Sequence, residues 1–170
     1  ASGKEFSEVD ENAVTTLRRR SASSADDVPS YNELFTEASA ISSFMVKTRR
    51  ELHRHPELMY QEVFTSQKIL DTLENLGIAF QTGYAYNIRQ DRGVEGDGGT
   101  GVVAEIGTGH PPCIALRADM DALPIREFTD VPFKSEIDGK GHLCGHDSHV
   151  SMLLGAAAIL KHHESAINGT

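Results

Sequence analysis

The segment from Ser148 to about His163 restricts the fold more than any other stretch of this chain. Val150, Met152, Leu153, Leu154, Ala157, Ile159 and Leu160 leave little polar face, so a helix here is apolar around most of its circumference and needs neighbours on several sides. Two companions are readable upstream. Ile41, Met45, Thr48 and Leu52 recur at helical spacing from about Thr36, with Lys47, Arg49, Arg50 and Glu51 on the polar side, until Pro56 stops the helix. A second helix is expected from about Glu62 to Leu76, burying Ile69, Leu70, Leu73 and Leu76, with Gly77 at its left-handed cap.

Beyond that helix the period shortens. Ile78–Thr82, Val102–Ile106 and Cys113–Ala118 read as strands, the last two joined by a turn at 107–112, while residues 87–100 read as a polar, glycine-rich loop. Helices and strands interleave, so the expected class is α/β, a mixed sheet flanked by helices. Two amphipathic helices and a few strands are too few to cover both faces of a sheet and also bury the last helix, so the domain is expected to be incomplete. Residues 1–35, with Arg18-Arg19-Arg20 and a Ser/Ala/Asp stretch from Ser21 to Asp27, are expected to be a flexible tail, and residues 36–170 a partial domain. No internal repeat is present.

The formal charge of −9 argues against a nucleic-acid partner, because an acidic surface repels phosphate. No run of about 18 apolar residues occurs, so no membrane span is expected. Two cysteines, Cys113 and Cys144, do not make a disulfide framework; a single bridge between them ranks below a reduced Cys144 that holds metal. The chain opens on Ala1 rather than Met, so an upstream piece is expected, with signal, transit peptide or artificial truncation all open and the compartment unassigned.

The segment Gly141-His142-Leu143-Cys144-Gly145-His146-Asp147-Ser148-His149 carries the chemistry. A cysteine and a histidine two positions apart in an extended segment point the same way, so Cys144 and His146 can reach one metal. Gly145 leaves the backbone free to approach, and Asp147 or Ser148 can cap the following helix. Spacing alone leaves other readings open: a buried small thiol with a polar histidine, or a cysteine nucleophile with His149 as base. Asp119 and Asp121, beyond the strand Cys113–Ala118, can ligate metal or orient a ligand histidine; taken alone, a solvated acidic loop is the better reading. His53 and His55 beside Pro56 are explained by a helix terminus and are not expected to be ligands.

Together, Arg49–Leu58 (RRELHRHPEL), Leu116–Pro124 (LRADMDALP) and Cys144–His149 (CGHDSH) occur in the order seen in one family. Over about residues 36–163 the sequence resembles the aminoacylase, hippurate hydrolase and indole-3-acetyl-amino-acid hydrolase branch of the dinuclear metallo-amidohydrolases; the stretch 133–140 is also similar. The resemblance implies the amino-terminal part of a zinc-peptidase-like catalytic domain, with a lid domain inserted later in the chain. It implies that Cys144 and His146 are ligands in a site for two divalent ions, manganese or zinc with cobalt also open. It implies further that Asp121 steadies that site from behind a ligand, while Asp119 stands where more distant branches place a histidine ligand. The implied substrate is a small N-acyl amino acid, auxin conjugates among the candidates, and a homodimer of the full-length parent is open.

Departures accompany the resemblance. Relatives continue with a Glu-Glu pair, one the general base and one a ligand, and then with further ligand histidines; these 170 residues contain no Glu-Glu pair. Gly141 and Leu143 stand where relatives usually have Met and Ala, and the loop at 87–100 looks longer than usual. The rival expectation is therefore a truncated, non-catalytic fragment that binds metal and hydrolyses nothing.

Overall fold

The computed structural model describes residues 28–88 and 92–170. Most of the expected tail, residues 1–27, lies outside them. Helical structure begins earlier than the apolar period suggests, with α1 at Tyr31–Ala40. Ser30 and Glu33 explain the early start: the Ser30 hydroxyl accepts from the Glu33 N–H, and the Glu33 carboxylate accepts from the Ser30 N–H at 2.8 Å. This reciprocal cap satisfies two donors that the first turn cannot pair internally. The helix expected from Thr36 is thus two helices, α1 and α2 (Ser42–Arg54), with fully buried Ile41 at the break between them.

Helix α3 spans Val63–Leu76 and takes its amino-terminal cap from a distance. The Glu57 carboxylate accepts from the N–H groups of Phe64 and Thr65, both at 2.8 Å. At the other end Gly77 adopts φ 68°, and the Ile78 N–H returns to the Leu73 carbonyl at 3.0 Å. A residue with a Cβ would be strained in that conformation.

Strands β1 (Ala79–Tyr86) and β2 (Gly98–Glu105) pair antiparallel, from Ala79 opposite Glu105 to Tyr86 opposite Gly98. Both are longer than the apolar runs that announce them, and they take in the end of the stretch expected as loop. The expected strand Cys113–Ala118 does not form. Its physical reason is the lack of a partner: among the described residues the Ile114 N–H bonds only the Thr170 carbonyl, and Ile114 and Leu116 are 80% and 59% exposed. An apolar run is a strand only when another strand supplies its ladder.

Helix α4, His146–His162, lies across the rest. Ile41, Leu52, Leu73, Leu76, Ile78, Val150, Leu154 and Ala158 make the core, and the Ser151 hydroxyl donates to the Met45 carbonyl at 2.7 Å to fix α4 against α2. Only one side of α4 is covered, since Met152 and Leu160 remain exposed. The α/β class holds, with helices packed around a small antiparallel sheet.

Candidate metal centre

Cys144, Gly145 and His146 form a turn into α4 rather than an extended segment. Gly145 has φ 98°, a conformation that favours glycine, and His146 is already the first helical residue. The same-side argument from strand geometry therefore does not apply here. Gly145, not Asp147 or Ser148, occupies the cap position and makes no side-chain cap bond, while Asp147, one residue into the helix, accepts from the Ser148 N–H at 2.9 Å. Cys144 carries a free, exposed thiol, and so does Cys113, with no bridge between them.

His146 is held on one side. Its Nδ1 lies 3.0 Å from Asp121 Oδ1 and 2.9 Å from the Asp121 carbonyl oxygen. Two acceptors at Nδ1 favour a proton there, which leaves Nε2 with the lone pair that a metal requires. Asp119, two residues away, is bound instead by the Arg117 guanidinium on the exposed surface.

Asp147, adjacent to His146, turns into the core and is fully buried. Its carboxylate receives Arg49 Nε at 2.9 Å and His53 Nδ1 at 2.8 Å. His53 Nε2 in turn lies 3.2 Å from Glu127 Oε1, so this ring is bracketed by two carboxylates. Burial pushes the Glu127 carboxyl up, but the Ser135 N–H, the Thr129 hydroxyl and His53 outweigh it and hold the group at about 2. Phe133 packs edge-on to His53, and the Arg49 and Arg50 guanidiniums lie 5.0 and 4.9 Å from its ring centroid. Nothing local in the sequence announces Arg49, His53, Glu127 and Asp147 as partners; the one usable signal is that three of them fall inside the motifs.

The motifs meet through their backbones as well. The Ala122 N–H donates to the Glu57 carbonyl, Leu123 and Gly141 exchange hydrogen bonds at 3.1 and 3.0 Å, and the Glu136 N–H donates to the Arg54 carbonyl at 2.9 Å. The first motif thus cradles the second, the second supports the third, and His146 emerges at the junction.

The donors present suit a divalent ion of the zinc or manganese kind, one thiol and one imidazole Nε2. A further buried imidazole, His142, has both ring nitrogens without a hydrogen-bond partner among the described residues. Its pKa is lowered, first by burial, against the opposing charge of Asp147. An orphaned neutral imidazole close to the turn is a site that expects a polar partner. Among the described residues neither Cys144 nor His146 belongs to a group of three donors close enough to share one ion.

Comparison with known proteins bears on what occupies this junction. Residues 115–170 match the family described as Peptidase family M20/M25/M40. The chain is 47% identical over 136 residues to the Arabidopsis thaliana protein named IAA-amino acid hydrolase ILR1-like 2, covering 80% of this chain and 28% of that protein. It is 42% identical over 132 residues to the N-acetylcysteine deacetylase of Bacillus subtilis, covering 77% of this chain and 32% of that protein. Among solved structures, the Bacillus subtilis YXEP protein, described as a dinuclear metal binding peptidase from the M20 family, superposes with a TM-score of 0.62 at 40% identity, covering 75% of this chain and 32% of its own. An aminohydrolase described as putative, from methicillin-resistant Staphylococcus aureus, gives 0.66 at 32% identity, covering 80% and 33%. The chain spans about a third of the length of these relatives.

Proposed function

We propose that this chain is part of a protein of the M20/M25/M40 peptidase family, and that the whole protein hydrolyses the amide bond of N-acyl amino acids with two divalent metal ions. The observation that carries the proposal is His146, whose Nδ1 is occupied by Asp121, which leaves Nε2 for a metal, two positions after the free, exposed Cys144 thiol. Cys144 as thiolate and His146 through Nε2 hold an ion; Asp121 fixes the tautomer and the orientation of His146 from behind. The Arg49–Asp147–His53–Glu127 chain clamps the first turn of α4, so His146 leaves the helix in one direction. The amino end of α4 adds a partial positive charge that favours an anionic group near the junction. Bound divalent ions supply an acidified water and polarise the scissile carbonyl.

Relatives named for indole-3-acetyl-amino-acid hydrolysis and for N-acetylcysteine deacetylation both support a substrate with an acyl group on an amino acid nitrogen. A thiolate ligand favours zinc, while manganese and cobalt remain candidates. The second reading, metal binding without turnover by these 170 residues alone, is favoured by the lack of a Glu-Glu pair in them.

The test is hydrolysis of N-acetyl and indole-3-acetyl amino acids by the whole protein, with and without chelator. Cys144→Ala and His146→Ala are each expected to abolish the chelator-sensitive rate and to lower bound metal. Wild-type rates together with wild-type metal content in both variants would overturn the assignment.

A further inference from the structure

We propose that Glu37, His162 and His163 form a separate site for a zinc-class divalent ion, built from nitrogen and oxygen donors, at the end of α4 opposite Cys144 and His146. A helix of 17 residues is about 25 Å long, so the two sites do not share ligands. His163 Nε2 lies 2.9 Å from Glu37 Oε2 and His162 Nε2 lies 3.6 Å from Glu37 Oε1. One ligand atom from each of the three residues falls within 4.8 Å of the others, and among the described residues no other trio does so. Metal–donor bonds of about 2.0–2.1 Å in a tetrahedral site put donors roughly 3.3–3.5 Å apart. The three side chains therefore need little adjustment to close on an ion.

The local fold explains how consecutive histidines come to share a target. Side chains at adjacent helical positions diverge by about 100°. His162 is the last residue of α4, and His163 has left the helix at φ −99°, ψ 18°, which swings its ring back to within 4.6 Å of its neighbour. Glu37 reaches both from α1. All three side chains are largely withdrawn from water, His162 at 7% exposure and the other two at 16%. As a plain ion pair the arrangement is poorly matched: one carboxylate offsets one imidazolium, and two imidazolium rings in contact repel. With neutral rings, both Nε2 lone pairs and a carboxylate oxygen suit one divalent ion, and a fourth position stays open for water. None of the three residues lies in the motifs of the proposed amidohydrolase centre, so the two sites stand or fall separately.

The probe is zinc alone, titrated into the whole protein bearing Cys144→Ala and His146→Ala. At least one equivalent is expected to remain bound, and one of those that remain is expected to depend on Glu37 and His163. Adding Glu37→Gln, which keeps hydrogen bonds to both rings, should weaken that equivalent at least tenfold, and His163→Ala at least a hundredfold. Cobalt in the same background should show tetrahedral bands without thiolate charge transfer. Should the His163 variant or the double background fail to fold, Glu37→Gln in the otherwise wild-type protein decides, through loss of one equivalent from the total zinc bound. Absence of the extra equivalent, or its retention at unchanged affinity after Glu37→Gln and His163→Ala, would overturn the proposal.

Discussion

Asp119 and Asp121 stand two positions apart in one acidic stretch, yet their surroundings separate them. Asp121 receives His146, whereas Asp119 is tied to Arg117 at the surface. Asp121→Asn is therefore expected to lower metal affinity or activity by about 10–100-fold, as removal of a group that orients a ligand does, without unfolding the protein. Asp119→Asn should stay close to wild type. Metal titration with a circular-dichroism melt of both variants checks this, and the opposite ranking would reverse the two roles. Asp121, Cys144 and His146 can be singled out from the sequence because residue type and motif order point to them. Asp147 cannot. It reads as a helix cap, and only the fold shows that its partners lie 94 and 98 positions away.

At the level of elements, most helix ends are legible where a local chemical signal marks them, although α4 starts at His146, ahead of the Asp147 and Ser148 signal. Gly77 and Pro56 are such signals, and the Ser30/Glu33 pair marks the start of α1, ahead of the apolar period. Strands are legible only in part, because their limits are set by partners: β1 and β2 extend each other, and among the described residues Cys113–Ala118 has no strand neighbour. The same contrast between local and distant support predicts stability. Ser30→Ala removes one cap and should cost about 1 kcal/mol. Asp147→Ala leaves Arg49 and His53 facing an emptied buried position and should cost about 3–5 kcal/mol, as broken buried ion pairs do. Denaturant unfolding of the two variants measures the difference; equal losses would show that the buried carboxylate does not anchor α4.

At the scale of the whole molecule, the described residues expose apolar side chains on one run and along one face of a helix. Ile114 and Leu116 are exposed on a run without a strand partner among the described residues, and Met152 and Leu160 line the open side of α4. Exposed strand edges and an uncovered helix face favour association and loose packing. Expressed as these 170 residues, the chain is expected to be marginal, partly molten, prone to associate and catalytically silent. A thermal melt, a sizing measurement and an assay in added zinc or manganese check this. A sharp transition from a monomer that hydrolyses an N-acyl amino acid would contradict it.

The long reach of Asp147 also bears on the order in which the chain comes together. Helical turns and the β1–β2 hairpin close over short stretches, whereas the Asp147–His53 contact closes 94 residues. Loop-closure entropy makes that contact roughly 3 kcal/mol harder to reach than a single helical turn. The frame behind His146 is thus a late arrival in folding and an early loss in unfolding, although the helix carrying it forms locally. An ion captured at Cys144 and His146 would accordingly mark the moment at which α4 has found the helix 94 positions before it.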